Sequence, residues 1–93
     1  MNAPLWKTTI ATIGCVLCRH FDLSQVGRTY LHHVREGQGL SQRAPAYLIV
    51  PLCLEHHQGR SGLHGLGTRG FYQRYKLDEL DLLAMTLEAL PGF

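Results

Sequence analysis

Two short ligand pairs constrain this chain more than any other feature: Cys15-x2-Cys18 and, 34 residues further on, Cys53-x2-His56. A C-x2-C turn presents two thiolates to one ion with little loop strain. A C-x2-H turn completes a tetrahedron, the geometry zinc takes in closed structural sites. The three cysteines would leave one thiol over in a disulfide scaffold, but three thiolates and one imidazole use them all. A redox CxxC normally opens a helix in a βαβ context, which this sequence lacks, and buried apolar cysteines are the remaining reading. A 93-residue chain buries only about 60–65% of its unfolded surface, so its core is thin. A structural zinc on Cys15, Cys18, Cys53 and His56 would add folding energy that this core lacks.

Once those four ligands are assigned, His32, His33, His57 and His64 remain, with His20 as a spare candidate that reads as a surface residue. His32 and His33 adjoin near the end of a predicted strand, so their side chains point to opposite faces. His57 and His64 are seven apart, which puts them on one face in an unbroken helix, although Gly59 and Gly62 interrupt it. Three imidazoles, His32, His57 and His64, would form an open metal site with room for water and substrate. His33 would then be a free base beside it, its ordinary pKa of about 6.5 suiting proton transfer. For any one histidine alone, a surface or satisfied core position is the simpler reading.

The expected fold class is α+β, in one domain. Residues 5–13 fit a short helix or an extended arm. Residues 28–34 and 46–50 read as strands of an antiparallel hairpin, the second stopped by Pro51, with a loop over 36–45. Residues 52–64 begin as helix, 68–76 form a short helix with Thr68 as N-cap, and 78–90 form the clearest helix. Asp78 caps that last helix, Asp81 sits at a capping-box offset, and Pro91-Gly92 ends it. Its apolar positions, Leu77, Leu80, Leu83, Leu87 and Leu90, with Leu82, Met85 and Ala89 beside them, exceed what a thin core needs. Part of that surface would bury against a second copy, giving a homodimer, or all of it would pack internally.

Charge separates along the sequence. Residues 1–76 carry all nine Lys and Arg against three acids, and the last 17 residues carry four acids and no base. A basic body rich in Arg suits a phosphate-bearing partner, and Arg35, Arg43, Arg60 and Arg69 are candidate contacts. Ordinary surface charge is the plainer reading. No recognition-helix signature is present, so base-specific readout is not expected. No apolar run approaches the ~18 residues of a membrane span. The first 13 residues lack a secretory pattern, so a cytoplasmic protein is expected.

The stretches C-V-L-C (15–18), Y-L-H-H-V (30–34) and L-I-V-P-L-C-L-E-H-H (48–57), followed by His64, resemble the HNH, or ββα-metal (His-Me finger), nucleases in their zinc-bound form. The HHV-x3-GQG segment (32–39) and the VPLC-x2-HH segment (50–57) are similar to small phage recombination-enhancement (Ref-type) nucleases. The resemblance covers about residues 14–76. It implies a small ββα-metal fold with a zinc knuckle and C-terminal helices, the last over about 78–90. It also implies His33 as general base, His32, His57 and His64 as ligands of a catalytic Mg, Mn, Zn or Ni ion, and Cys15, Cys18, Cys53 and His56 as structural-zinc ligands. The implied activity is metal-dependent hydrolysis of DNA phosphodiesters with low sequence specificity, in phage DNA recombination or processing inside a bacterial host. A recombination protein is an implied partner. The middle Asn of the HNH name has no counterpart, since its position falls near Leu48 and Asn2 is the chain's single Asn. The alternative of another class is a catalytically inactive zinc module that binds DNA or a protein, which has no need of His33 or His64.

Overall fold

The computed structural model describes residues 2–35 and 46–90. The Gly37-Gln38-Gly39 loop, Arg43 and the Pro91-Gly92 stop lie outside the described residues. The architecture is α+β, a two-stranded antiparallel sheet enclosed by helices in the order α1 (Ala3–Ile13), α2 (Val16–His20), β1 (Thr29–His33), β2 (Ile49–Cys53), α3 (Leu54–His57), α4 (Leu63–Tyr75) and α5 (Glu79–Glu88). No helix among the described residues is long and apolar enough to cross a membrane.

The hairpin divides the core. All five residues of β2 are buried, which requires cover on both faces, and alternation then sorts the side chains. Val50 and Leu52, with Val34 of the β1 end, pack with Cys15, Leu17, Leu63, Phe71 and Leu82. Ile49, with Leu31 beside it, packs with Ile10, Trp6 and Leu90. Helix α1 is therefore the cover of the second face. Asn2 caps it by accepting the Leu5 N–H, and Pro4 occupies its first turn, where no N–H is needed. The Trp6 indole N–H donates to the Tyr47 carbonyl at 3.0 Å and pins the helix to the approach to β2. Residues 5–13 thus take the helical of their two expected conformations.

Strand β2 starts and ends later than expected and runs through Pro51. The register explains the tolerance. Val34 N–H donates to Leu48 O, so hydrogen-bonded pairs fall at 34/48 and at every second residue along the ladder. Pro51 faces Leu31 in a non-hydrogen-bonded pair, so its nitrogen points away from β1 and no ladder bond is lost.

The expected helix over 52–64 breaks into α3 and the start of α4. A Cβ on Gly65 would collide with the Gly59 carbonyl oxygen, and one on Gly62 with the Glu55 carbonyl. Glycine at both places lets α4 close against α3. The turn between them is tied by Glu55, whose carboxylate accepts the Ser61 N–H at 2.9 Å and hydroxyl at 2.6 Å. Those bonds hold the Glu55 carboxyl below its usual range. Helix α4 is interrupted at Gly67, whose φ of 73° is non-helical, and Thr68 lies inside the helix after that kink and does not cap it. Phe71 and Tyr75 share a face as expected, with ring centroids 4.7 Å apart.

Helix α5 carries the expected capping box between Asp78 and Asp81. Its buried face differs from the leucine stripe: Glu79, Leu82 and Thr86 point inward, whereas Leu80 is 50% exposed. Thr86 satisfies its buried hydroxyl by donating to the Leu82 carbonyl at 2.7 Å. We expect Leu82→Ala to cost about 2–4 kcal/mol and Leu80→Ala under ~0.5 kcal/mol in denaturant unfolding of the metal-loaded protein.

Candidate metal centres

Cys15, Cys18, Cys53 and His56 converge in the core. Cys15 caps α2, and its sulfur accepts the Cys18 N–H at 3.4 Å, which closes the knuckle. Gln25 braces it from outside: its side-chain oxygen accepts the Cys15 N–H at 2.6 Å and its amide donates to Thr29 Oγ1 at 3.0 Å. Cys53 ends β2 and His56 lies one turn on in α3. His56 Nδ1 is 3.5 Å from Cys15 Sγ, 3.5 Å from Cys18 Sγ and 3.3 Å from Cys53 Sγ, and the Cys18 and Cys53 sulfurs are 3.8 Å apart.

These separations fit zinc. Bonds of ~2.3 Å to sulfur and ~2.0–2.1 Å to nitrogen imply tetrahedral edges of about 3.8 Å between sulfurs and about 3.5 Å between sulfur and nitrogen. The Cys18–Cys53 separation is nearly twice a disulfide bond of ~2.05 Å, and all three cysteines are free. Without a cation, burial pushes the Cys18 thiol up to about 12, with Cys15 and Cys53 adding to the shift. Burial likewise raises Cys15, and it lowers His56, keeping that imidazole neutral. Packed thiols of this kind ionise when a metal takes the charge. The cluster can hold a structural metal such as zinc.

His32, His57 and His64 form a second group, their nearest ligand atoms all within 4.8 Å of one another. Sequence spacing aligns His57 and His64 on one face of an unbroken helix, which Gly59 and Gly62 interrupt. The structure instead uses two, α3 and α4, closed on each other through the glycine turn. His57 Nε2 and His64 Nε2 are 3.2 Å apart, close to the ~3.3 Å edge between two nitrogens on a tetrahedral zinc. His32 reaches them from the face of β1 that it shares with Tyr30, and the Tyr30 ring lies nearly parallel to His57 at 6.3 Å. Burial, then the charges of His32 and His64, lower the His57 pKa to about 4, so its ring is neutral. His57 Nδ1 is buried without a hydrogen-bond partner among the described residues. Such orphans are rare, and this one sits in a ring whose other nitrogen faces His64.

His33 stands apart from that group. It follows His32 on β1 and is exposed on the opposite face, the side covered by α1. Its pKa is lowered by partial burial and then by the charges of Lys7, His32 and Arg35. Among the candidate phosphate contacts, Arg35 lines a cleft of about 250 Å³ together with His32, His64, Thr68 and Glu79. Arg60 and Arg69 are exposed but do not line it, and His20 is exposed at the end of α2. Glu79 was not anticipated as a site residue. An acid in the first turn of a helix reads as ordinary helix-dipole chemistry, and no local signal separates it from Asp81.

Comparison with known proteins gives no match, whether to a family model, to a curated protein or to a solved structure.

The two groups predict separable metal losses. Cys18→Ser should abolish the tightest zinc and the cooperative thermal transition, while His57→Ala should leave both. Metal analysis by mass spectrometry and circular-dichroism melts check this. A strong chelator should unfold the wild type in the same way.

Proposed function

We propose that this protein is a metal-dependent DNA endonuclease of the HNH, ββα-metal type, acting with low sequence specificity in phage DNA recombination or processing. The supporting observation is the convergence of His32, His57 and His64 on one side of a zinc-knuckled hairpin, beside a cleft carrying Arg35. Three imidazoles, two of them lining an open cleft, suit a working ion better than a purely structural one.

His32, His57 and His64 would hold a divalent ion, which would supply positive charge at the scissile phosphate. His33, its pKa lowered by partial burial and then by its cationic neighbours, takes a proton from a water whose oxygen bonds to phosphorus. The P–O3′ bond breaks on the opposite side, leaving a 5′ phosphate and a 3′ oxygen that takes a proton from solvent water to become the hydroxyl. His33 ends β1, and in this reading the substrate phosphate crosses the edge of that strand away from β2, within reach of both faces. Arg35 binds a neighbouring phosphate. Arg60, Arg69 and Arg43 extend the backbone contacts, so binding weakens steeply with salt.

One observation favours the alternative, an inactive zinc module that binds DNA or a protein: His33 is on the opposite hairpin face from the triad. The test is supercoiled plasmid incubated with wild type and His33→Ala in Mg, Mn, Zn or EDTA. The nuclease reading predicts nicking that EDTA abolishes and that falls at least ~100-fold in His33→Ala. Equal cleavage by both proteins removes His33 from the chemistry, and no cleavage by either favours the binding module.

A further inference from the structure

Glu79 is the one buried carboxylate among the described residues, 4% exposed at the first position of α5. It comes from a helix outside the metal-ligand segments, and it reaches 47 positions back along the sequence to His32. Its Oε2 contacts His32 Nε2, and both its oxygens accept from the Arg35 backbone N–H, Oε1 at 3.1 Å and Oε2 at 3.3 Å. It is not a member of the triad's own group. A carboxylate is expensive to bury without partners, and these partners bracket one segment, His32 to Arg35, at both ends.

We infer that Glu79 is a positioning residue that fixes the ring of His32 for metal binding and holds the His32–Arg35 segment in place. The reasoning rests on the triad being a metal site. A carboxylate accepts and does not donate, so the hydrogen of a neutral His32 ring is on Nε2. The lone pair is then on Nδ1, the ring atom left to serve as ligand. Carboxylate–histidine–metal chains of this kind set the tautomer, orient the ring and strengthen the ligand. The same carboxylate, by holding the Arg35 N–H, sets where the strand end carries His33 and where the Arg35 side chain enters the cleft. The last helix, outside the ligand motifs, thereby becomes part of the site. Through that side chain the docking of α5 bears on the orientation of His32.

The test uses the full chain with its structural site loaded with zinc, titrated with Co(II) and followed by visible absorption. In parallel, long-range 1H–15N correlation spectra report the tautomer of His32. Wild type should take up a second ion and show His32 with hydrogen on Nε2. Glu79→Ala should weaken that second ion 10–100-fold and lose the tautomer preference, and Glu79→Gln, which keeps an acceptor oxygen, should recover part of both. Leu82→Ala controls for loosened docking of α5, since Leu82 points inward from the same helix into the apolar core and has no polar group to offer His32. Equal weakening by Leu82→Ala and Glu79→Ala, or an Nδ1–H tautomer in the wild type, overturns the inference. A wild type that binds no second ion overturns the triad and this role together. A wild type that binds it but cuts no DNA overturns the nuclease reading and leaves the role of Glu79 standing.

Discussion

The knot of Cys15, Cys18, Cys53 and His56 is the constraint on which the other features depend. It ties a knuckle near the N-terminus to the end of β2, two places that the sequence keeps far apart. Thiols buried this closely resist ionisation, so a cation bound there would stabilise the cluster and, with it, a core that a short chain cannot make large. The hairpin, α2 and α3 all meet at that point. Gln25 then carries the order outward from the Cys15 amide to the start of β1.

The second consequence of the knot is the placement of His57. Cys53 and His56 fix the direction of α3, and the next residue turns about 100° around that short helix. One ring thus enters the sulfur cluster and its neighbour enters the imidazole group. The glycines of the following turn allow α4 to press close enough for His64 to meet His57. The two centres therefore share a four-residue helix. Glu79 extends the dependence to the last helix.

The two side-chain clusters were legible in the sequence because metal chemistry is written in residue type and short spacing. Cys15, Cys18, Cys53 and His56 could be assigned from two pairs, and the triad from the histidines that remained. The capping box of α5 was equally visible. What was hidden depends on contacts between distant segments. Pro51 signals a strand end locally, yet the register makes its missing N–H harmless. Gly59 and Gly62 signalled a break, but not that the break folds His64 back onto His57. The inward turn of Glu79 in place of Leu80 follows from the buried His32 and the Arg35 amide, and nothing near Glu79 in the sequence announces them. His33 shows the reverse case: strand alternation predicts its separation from His32, and the structure keeps it.

The most direct measurement is an anomalous-scattering map from crystals of the zinc-loaded protein. The account predicts two peaks per chain. One would be surrounded by the sulfurs of Cys15, Cys18 and Cys53 with His56 Nδ1, the other by the rings of His32, His57 and His64. A single peak at the sulfur cluster would reduce the second group to packed histidines. A first peak lacking any one of its four ligands would contradict the knot itself.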